Sequence, residues 1–345
     1  MSVDDARRLI ADAAIAGVFP AAAIEVGDSI AVLWSDVSGA STLHTPFDLA
    51  SLTKVVATTT VVMDRVRTGA ITLEAPVSGF FDEWRGADRQ RVTVRDLLEH
   101  ASGLPARLVD APPATRREFA HEICATPLEY APRTQAVYSD LGFILLGFIA
   151  ADRGGAPLAR LFDRITSGIN APDPLTFDLT AGQRDLAAPT RPLGEDPRRG
   201  RVLAGEVHDN YAFALGGVAG HAGLFGTAPS VGAFAQAMLQ AARNTGPEPY
   251  PEPFSPAIVR AFTTRSSVPG SSRALGWDTM LPTSSCGTRM SAQAFGHVGY
   301  TGTSLWIDPV RDRYFVLLTN RVYSDGTLDQ MRDVRRAFHD ALGDL

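Results

Sequence analysis

The strand signals of this chain lie at its two ends. Ala22-Ala23-Ile24-Glu25-Val26 and Ile30-Ala31-Val32-Leu33-Trp34 are β-type runs around a Gly27-Asp28 turn, which predicts a hairpin. Thr303-Ser304-Leu305-Trp306-Ile307 and Tyr314-Phe315-Val316-Leu317-Leu318-Thr319 repeat the pattern across a charged turn at Pro309 to Arg313. A helical pattern over residues 2–16, stopped by Gly17, precedes the first hairpin. Another follows the second hairpin, with Leu328, Met331, Val334, Phe338 and Leu342 on one face. An isolated hairpin cannot hold itself together in water, so the two ends are expected to share one sheet. The fold class expected is α/β of the α+β type, with an antiparallel sheet built from both ends and flanked by helices. Residues 1–75 and 265–345 would form the sheet lobe, and residues 76–264 a mostly helical insertion, within one unit of 345 residues.

The insertion reads as helices and loops. From Ser51 onward Val55, Val56, Val61, Val62, Met63 and Val66 are apolar on most faces, which predicts a buried helix ended by Gly69. Thr93 caps a short helix, Leu141 to Ala151 is an apolar one, and Thr227-Ala228-Pro229-Ser230 opens another. Residues 170–210 read as a surface excursion, and 244–256, with five prolines, as a loop.

Composition narrows the function. The chain is 45% apolar and 20% charged, as a packed globular protein is. Its net charge of −6 supplies no general attraction to nucleic acid or anionic lipid. Arg198-Arg199 and Arg335-Arg336 have acids nearby and read as solvated surface. Cys124 and Cys286 stand in no metal or redox spacing and are expected to be inert thiols. The acidic N-terminal stretch is unlike a signal peptide, and no run of about 18 apolar residues occurs. The expectations are a cytoplasmic location and no membrane or nucleic-acid partner. No signal sets the oligomeric state.

One residue type is nearly missing. Of the 32 basic residues only Lys54 is lysine, and it stands three positions after Ser51 in Ser51-Leu52-Thr53-Lys54. Arginine serves for charge but keeps its proton at any physiological pH, whereas a lysine amine can shift its pKa when buried. Positions i and i+3 share a helix face, so Ser51 and Lys54 can converge. A serine hydroxyl needs a base to become a nucleophile, and Lys54 can act as one. The plain alternative is a capping serine beside an exposed lysine in a lysine-poor chain.

Two further segments favour chemistry. Tyr138-Ser139-Asp140 precedes the apolar helix from Leu141, and His297-Val298-Gly299-Tyr300-Thr301-Gly302 precedes a predicted strand. With Ser-x-x-Lys, these resemble, in order and spacing, the Ser-x-x-Lys, Tyr-x-Asn and Lys-Thr-Gly boxes of the serine β-lactamase and penicillin-binding protein superfamily. The similarity is greatest to the class C β-lactamase branch, which includes serine carboxylesterases and D-amino-acid-releasing peptidases. Asp96-Leu97-Leu98-Glu99-His100-Ala101-Ser102-Gly103-Leu104-Pro105 and Gly220-His221-Ala222-Gly223-Leu224-Phe225 also resemble this branch, and the likeness runs from about residue 20 to 340.

The resemblance implies a β-lactamase/transpeptidase-like fold. It also implies a serine hydrolase that cleaves an ester or amide through a Ser51 acyl-enzyme. Lys54 and Tyr138 would move the protons. The backbone N–H groups of Ser51 and Tyr300 would hold the oxyanion, and Gly299 would let the strand edge approach the substrate. Two positions depart from the pattern. Asp140 replaces an amide and, when ionised, only accepts hydrogen bonds. His297 replaces a lysine that meets a substrate carboxylate or supports the tyrosine, and a histidine is charged only part of the time near neutrality.

These departures favour small acyl esters or D-amino-acid peptides from cell-wall turnover as substrates. A true class C-like β-lactamase is the alternative. A non-catalytic or slowly acylating penicillin-binding sensor is the alternative of another class. No cofactor is expected. His208, Asp209 and His221 flank a glycine-rich stretch, but their spacing fits no short metal motif, so His221 is expected to line the pocket and no metal is expected. His100 and His121 fall in helix-type segments and read as structural. Trp84, Trp277 and Trp306 read as core.

Overall fold

The computed structural model describes residues 2–109, 111–194, 196–246 and 250–343. Of the loop expected over 244–256, residues 247–249 lie outside the described residues. The strands are β1 (Ala21–Gly27), β2 (Val32–Gly39), β3 (Phe47–Asp48), β4 (Phe225–Gly226), β5 (Asp278–Thr279), β6 (Phe295–Val298), β7 (Ser304–Asp308) and β8 (Arg313–Thr319). Six form one antiparallel sheet in the order β2-β1-β8-β7-β6-β5. The C-terminal strand β8 thus pairs directly with the N-terminal β1, from Ala22 opposite Thr319 to Gly27 opposite Tyr314. β3 and β4 form a separate two-stranded ladder beside Ser51.

Side-chain alternation builds two cores. Ala21 and Ala23 of β1 join one core, while Ala22, Ile24 and Val26 join the other, as period-two geometry requires of a strand covered on both faces. The first core continues into the helical region. The second holds α1 (Val3–Ile15) and the C-terminal helix (Leu328–Leu342) against the sheet. Between these lie α2 (Thr60–Arg67), α3 (Val94–Leu98), α4 (Arg116–Ala125), α5 (Asp140–Gly154), α6 (Leu158–Thr166), α7 (Ala181–Leu186), α8 (Asn210–Ala214), α9 (Ala228–Arg243) and α10 (Pro256–Thr263), so the C-terminal helix is α11. Ser2, Thr93, Thr115, Thr180, Thr227 and Thr327 each cap a helix, accepting the N–H of the residue three positions on and donating their own N–H to its side chain. Trp84, Trp277 and Trp306 are fully buried, and both cysteines are buried and free.

Several expectations change. The second strand starts at Val32, because the Asp28 carboxylate takes the N–H groups of Ile30 and Ala31 and holds them in the turn. Ile30 is left exposed, as is Leu328 on α11. Phe295–Val298 is itself a strand paired with β7, so His297 sits inside the sheet. His100 lies just past α3 with φ of +55°, not within a helix. Arg198 and Arg335 are buried, not solvated. Arg198 is held by Asp196 at 2.8 Å and by the carbonyls of Val207 and His208. Arg335 lies on the inner face of α11 and donates to backbone carbonyls.

One close contact sets the position of the site. α5 passes so near the loop after α8 that a Cβ on Gly220 would lie 1.9 Å from the Phe143 carbonyl oxygen and 2.9 Å from Gly147 N. Those atoms are backbone and cannot step aside. Gly220→Ala is therefore expected to destabilise the fold by about 2–3 kcal/mol. Urea unfolding checks this, and a loss below about 0.5 kcal/mol would show that the loop relaxes freely.

Candidate active site

Ser51 stands where an extended strand becomes a buried helix. β3 ends at Asp48, and Ala50 takes φ of +46°, a left-handed conformation that is unusual and strained for a residue with a Cβ. The Asp48 carboxylate holds this kink by accepting the Ala50 N–H at 2.8 Å and the His208 N–H at 2.6 Å. The chain then enters a helix whose Lys54–Thr59 segment is π-helical before continuing as α2. Such widened turns are rare and concentrate at functional sites. All six residues of the segment are buried, Lys54 included.

Lys54 is completely enclosed. Its Nζ donates to Asp140 Oδ1 at 2.7 Å, Ser51 Oγ at 3.0 Å and the His221 carbonyl at 3.1 Å. An ammonium has three N–H donors and here meets three acceptors, which is the pattern of the protonated form. Burial pulls the Lys54 pKa down, but the charge of Asp140, joined by that of Tyr138 once the phenol ionises, outweighs it and the net shift is upward. A neutral or proton-sharing Lys54 acting as the base was expected; in the structure Lys54 rests as a cation. Tyr138 Oη lies 2.7 Å from the same Ser51 Oγ, and Lys54 Nζ sits 4.8 Å from the Tyr138 ring centre. Burial raises the phenol pKa. Lys54 opposes the rise, and Asp140 adds to it, so Tyr138 is a neutral phenol at neutral pH.

Asp140 opens α5 and uses both oxygens. Oδ1 binds Lys54, and Oδ2 accepts from Arg107 Nη1 at 2.9 Å. Burial raises the Asp140 pKa, but Lys54 and the other cations around it bring it below its ordinary value. The same Arg107 nitrogen donates to Asp209 Oδ2 at 2.8 Å, and Arg107 Nη2 donates to Asn210 Oδ1 at 2.7 Å. Asp209 also accepts from His221 Nε2 at 2.8 Å. Burial opposes its ionisation, yet His221 and Arg107 hold Asp209 well below the usual carboxylate range. Arg107 was not singled out in the sequence. It lies in the loop after Pro105, and its partners are 33 and 102 residues away, so no local spacing marks it.

Asp140, Asp209 and His221 bring three ligand-type atoms within 4.8 Å of one another. Both carboxylates already face cations, so a metal ion there would have to displace Lys54 and Arg107. His208 is not part of this cluster. Its ring donates to the Arg191 carbonyl at 3.0 Å and stacks on Tyr300 at 5.8 Å. His121 is exposed and pairs with Glu83.

A cavity of about 460 Å³ opens over Ser51, bounded by Tyr138, Asp140, Arg107, His221 and Tyr300 and on its far side by Leu193, Asp196 and Asn210. Tyr300 is 44% exposed, so its ring borders open solvent. The N–H groups of Ser51 and Tyr300 have no acceptor among the described residues. Gly299 lies behind them: a Cβ there would meet Thr303 Oγ1 and the Leu49 carbonyl, so the missing side chain makes room for the protein's own backbone. His297 does not border this cavity. Its Nδ1 donates to the Val298 carbonyl at 2.9 Å, and its Nε2 is buried without a partner. Burial, with Arg273 and Lys54 nearby, drives its pKa well below the ordinary value. The partial charge expected for it is therefore corrected to none. His100 packs on the other side of Tyr138, with rings 4.8 Å apart, and its Nδ1 accepts the Ser139 N–H.

Fold and site together define the class: a serine hydrolase of the β-lactamase and penicillin-binding type. The Beta-lactamase family model matches residues 6–339, and the chain belongs to that family. A protein of Escherichia coli (strain K12) named "Putative D-alanyl-D-alanine carboxypeptidase" is 33% identical over 317 residues, covering 82% of this chain and 71% of the relative. A class C β-lactamase from Rhodobacter sphaeroides superposes with TM-score 0.75 at 18% identity, covering 98% of each chain. EstCE1, described as a hydrolase with promiscuous acyltransferase activity, superposes with TM-score 0.73 at 19% identity, covering 96% of this chain and 98% of that one.

Asp140→Asn removes the carboxylate that works against Lys54 at Tyr138. The phenol is then expected to ionise at lower pH, because one of the causes raising its pKa is gone. Ultraviolet difference titration against Tyr138→Phe reads this directly. A Tyr138 titration that stays in place or moves up would contradict the geometry.

Proposed function

We propose that Ser51 is the nucleophile of an acyl-transfer hydrolase that cleaves an ester or amide. The observation that carries the proposal is the Ser51 hydroxyl held at 2.7 Å by a phenol and at 3.0 Å by an ammonium on the floor of an open cavity. Tyr138 is the proton carrier in this reading. The step starts from its phenolate, formed when the phenol proton leaves to water in the cavity; that oxygen accepts the Ser51 proton as Oγ attacks the carbonyl carbon, and later gives it to the leaving group. Lys54 stays protonated and stabilises the phenolate that this transfer needs. The N–H groups of Ser51 and Tyr300, unpaired among the described residues, receive the oxyanion. Water then attacks the acyl-enzyme along the same route and releases the acid.

The name carried by the curated relatives brings a substrate class: peptides ending in D-alanyl-D-alanine, here as cell-wall fragments. Such a terminus ends in a carboxylate, which His297, being neutral, does not attract. In this reading Arg273, beside Tyr138 though not among the residues lining the cavity, supplies the charge. Its guanidinium lies 5.5 Å from the Tyr138 ring centre and has no carboxylate partner among the described residues. The second reading is a short acyl ester without a carboxylate. The observation favouring it is Asp140, which has no N–H to offer a peptide carbonyl.

Three experiments decide. Intact-protein mass spectrometry after exposure to a fluorophosphonate, a p-nitrophenyl ester and a penicillin is expected to show a covalent adduct that Ser51→Ala loses. Tyr138→Phe should lower kcat by roughly a thousandfold. No adduct and no turnover with any of the three probes would end the enzyme reading and favour a binding protein. Arg273→Ala should raise KM at least tenfold for a D-alanyl-D-alanine peptide and leave a neutral ester within twofold. Equal effects on both substrates would remove Arg273 from carboxylate recognition.

A further inference from the structure

Beneath the turn that carries Tyr300 lie two buried arginines with no carboxylate partner among the described residues. Arg335 and Arg321 are each only 5% exposed. Arg335 Nη2 donates to the Gly299 carbonyl at 2.6 Å and to the Thr303 carbonyl at 2.9 Å. Arg321 Nη2 donates to the Tyr300 carbonyl at 2.6 Å, and its Nη1 to the Gly326 carbonyl at 2.7 Å. Arg335 Nε has no acceptor. Burying two like charges against neutral carbonyls, with only the Tyr300 ring 4.8 Å from Arg321 besides, is costly and adds nothing to the hydrophobic core.

The geometry gives these charges a use. In a trans peptide the carbonyl of one residue and the N–H of the next point in opposite directions. With the Gly299 carbonyl drawn down onto Arg335, the Tyr300 N–H must point up, toward the cavity that Ser51 and Tyr300 border. The turn is also stitched to the segment before Ser51. Thr301 Oγ1 donates to the Asp48 carbonyl at 2.7 Å and Thr303 Oγ1 to the Leu49 carbonyl at 3.0 Å. The Ser51 and Tyr300 donors are thus carried on abutting stretches of backbone. A cation on the carbonyl side of a peptide enlarges its dipole and strengthens the N–H as a donor, and the unneutralised charge itself favours an oxyanion nearby.

We propose that Arg335 is a positioning residue for the oxyanion, orienting and polarising the Gly299–Tyr300 peptide from behind, with Arg321 holding the next carbonyl. The proposal rests on the Ser51 acyl-transfer reading. Burial and the neighbouring Arg321 pull the Arg335 pKa down to about 9, which still leaves it charged at neutral pH.

The test compares wild type, Arg335→Gln and Arg335→Lys on a p-nitrophenyl ester, with phenylboronic acid as a tetrahedral mimic. Arg335→Gln is expected to lower kcat by about tenfold to a hundredfold with KM within twofold, and to weaken boronate binding by a similar factor. Arg335→Lys, which keeps the charge but loses the fork, should fall between the two. A role confined to fold stability would lower Tm and leave kcat and boronate affinity within twofold, and that result overturns the proposal. If Arg335→Gln does not fold, Arg335→Lys decides: boronate affinity within twofold of wild type overturns the proposal, and a larger loss supports it. Fluorophosphonate labelling of wild type at Ser51 runs alongside. Its absence would fail the acyl-transfer reading itself, while labelling with unchanged Arg335 variants would fail this inference alone.

Discussion

A fully buried ammonium organises this site. Lys54 has no solvent to hydrate it, so each N–H must find an acceptor within the protein. Those acceptors come from three separate stretches: Ser51 before the helix, Asp140 at the start of α5, and the His221 carbonyl after the Gly220 contact. Meeting the demand of one cation therefore fixes the relative positions of the nucleophile's helix, α5 and the loop that follows α8. It also explains why this position is lysine in a chain that otherwise uses arginine. Three acceptors converge on one point, which suits a tetrahedral ammonium and not a planar guanidinium.

The cation's influence on Tyr138 is limited by its own partner. Asp140 lies 2.7 Å from Lys54 and partly cancels the field that would draw a proton off the phenol. Arg107 then shares itself between Asp140 and Asp209, so the acids deeper in the cavity are matched in turn. The outcome is an ordered alternation of charge, from Lys54 through Asp140 and Arg107 to Asp209. An amide at position 140 would carry no charge and would leave Arg107 paired with Asp209 alone.

Much of the fold was legible because its signals are local. Period-two runs at both ends, caps at Thr93 and Thr227, and the apolar runs after Ser51 and Asp140 identify elements without reference to anything distant. The errors share a cause. Arg198 and Arg335 look like surface residues from their charged neighbours in sequence, but they are buried by segments that sequence neighbours do not reveal. His297 looks titratable until its surroundings, the Tyr138 ring, Arg273 and Lys54, are assembled around it. The Ile30 register failed on a smaller matter, the reach of Asp28 into its own turn.

By itself the sequence determined which residues could carry chemistry: one lysine a helical turn from a serine, a tyrosine ahead of an apolar helix, and a glycine-bearing strand edge. Those are properties of residue type and short spacing. Tertiary structure alone decided the charge on Lys54, the neutrality of Tyr138 and His297, the Arg107 bridge and the arginines beneath Tyr300. Protonation and donor direction depend on burial and on partners tens to hundreds of residues away, and a linear chain does not state which of its distant carboxylates will face which cation.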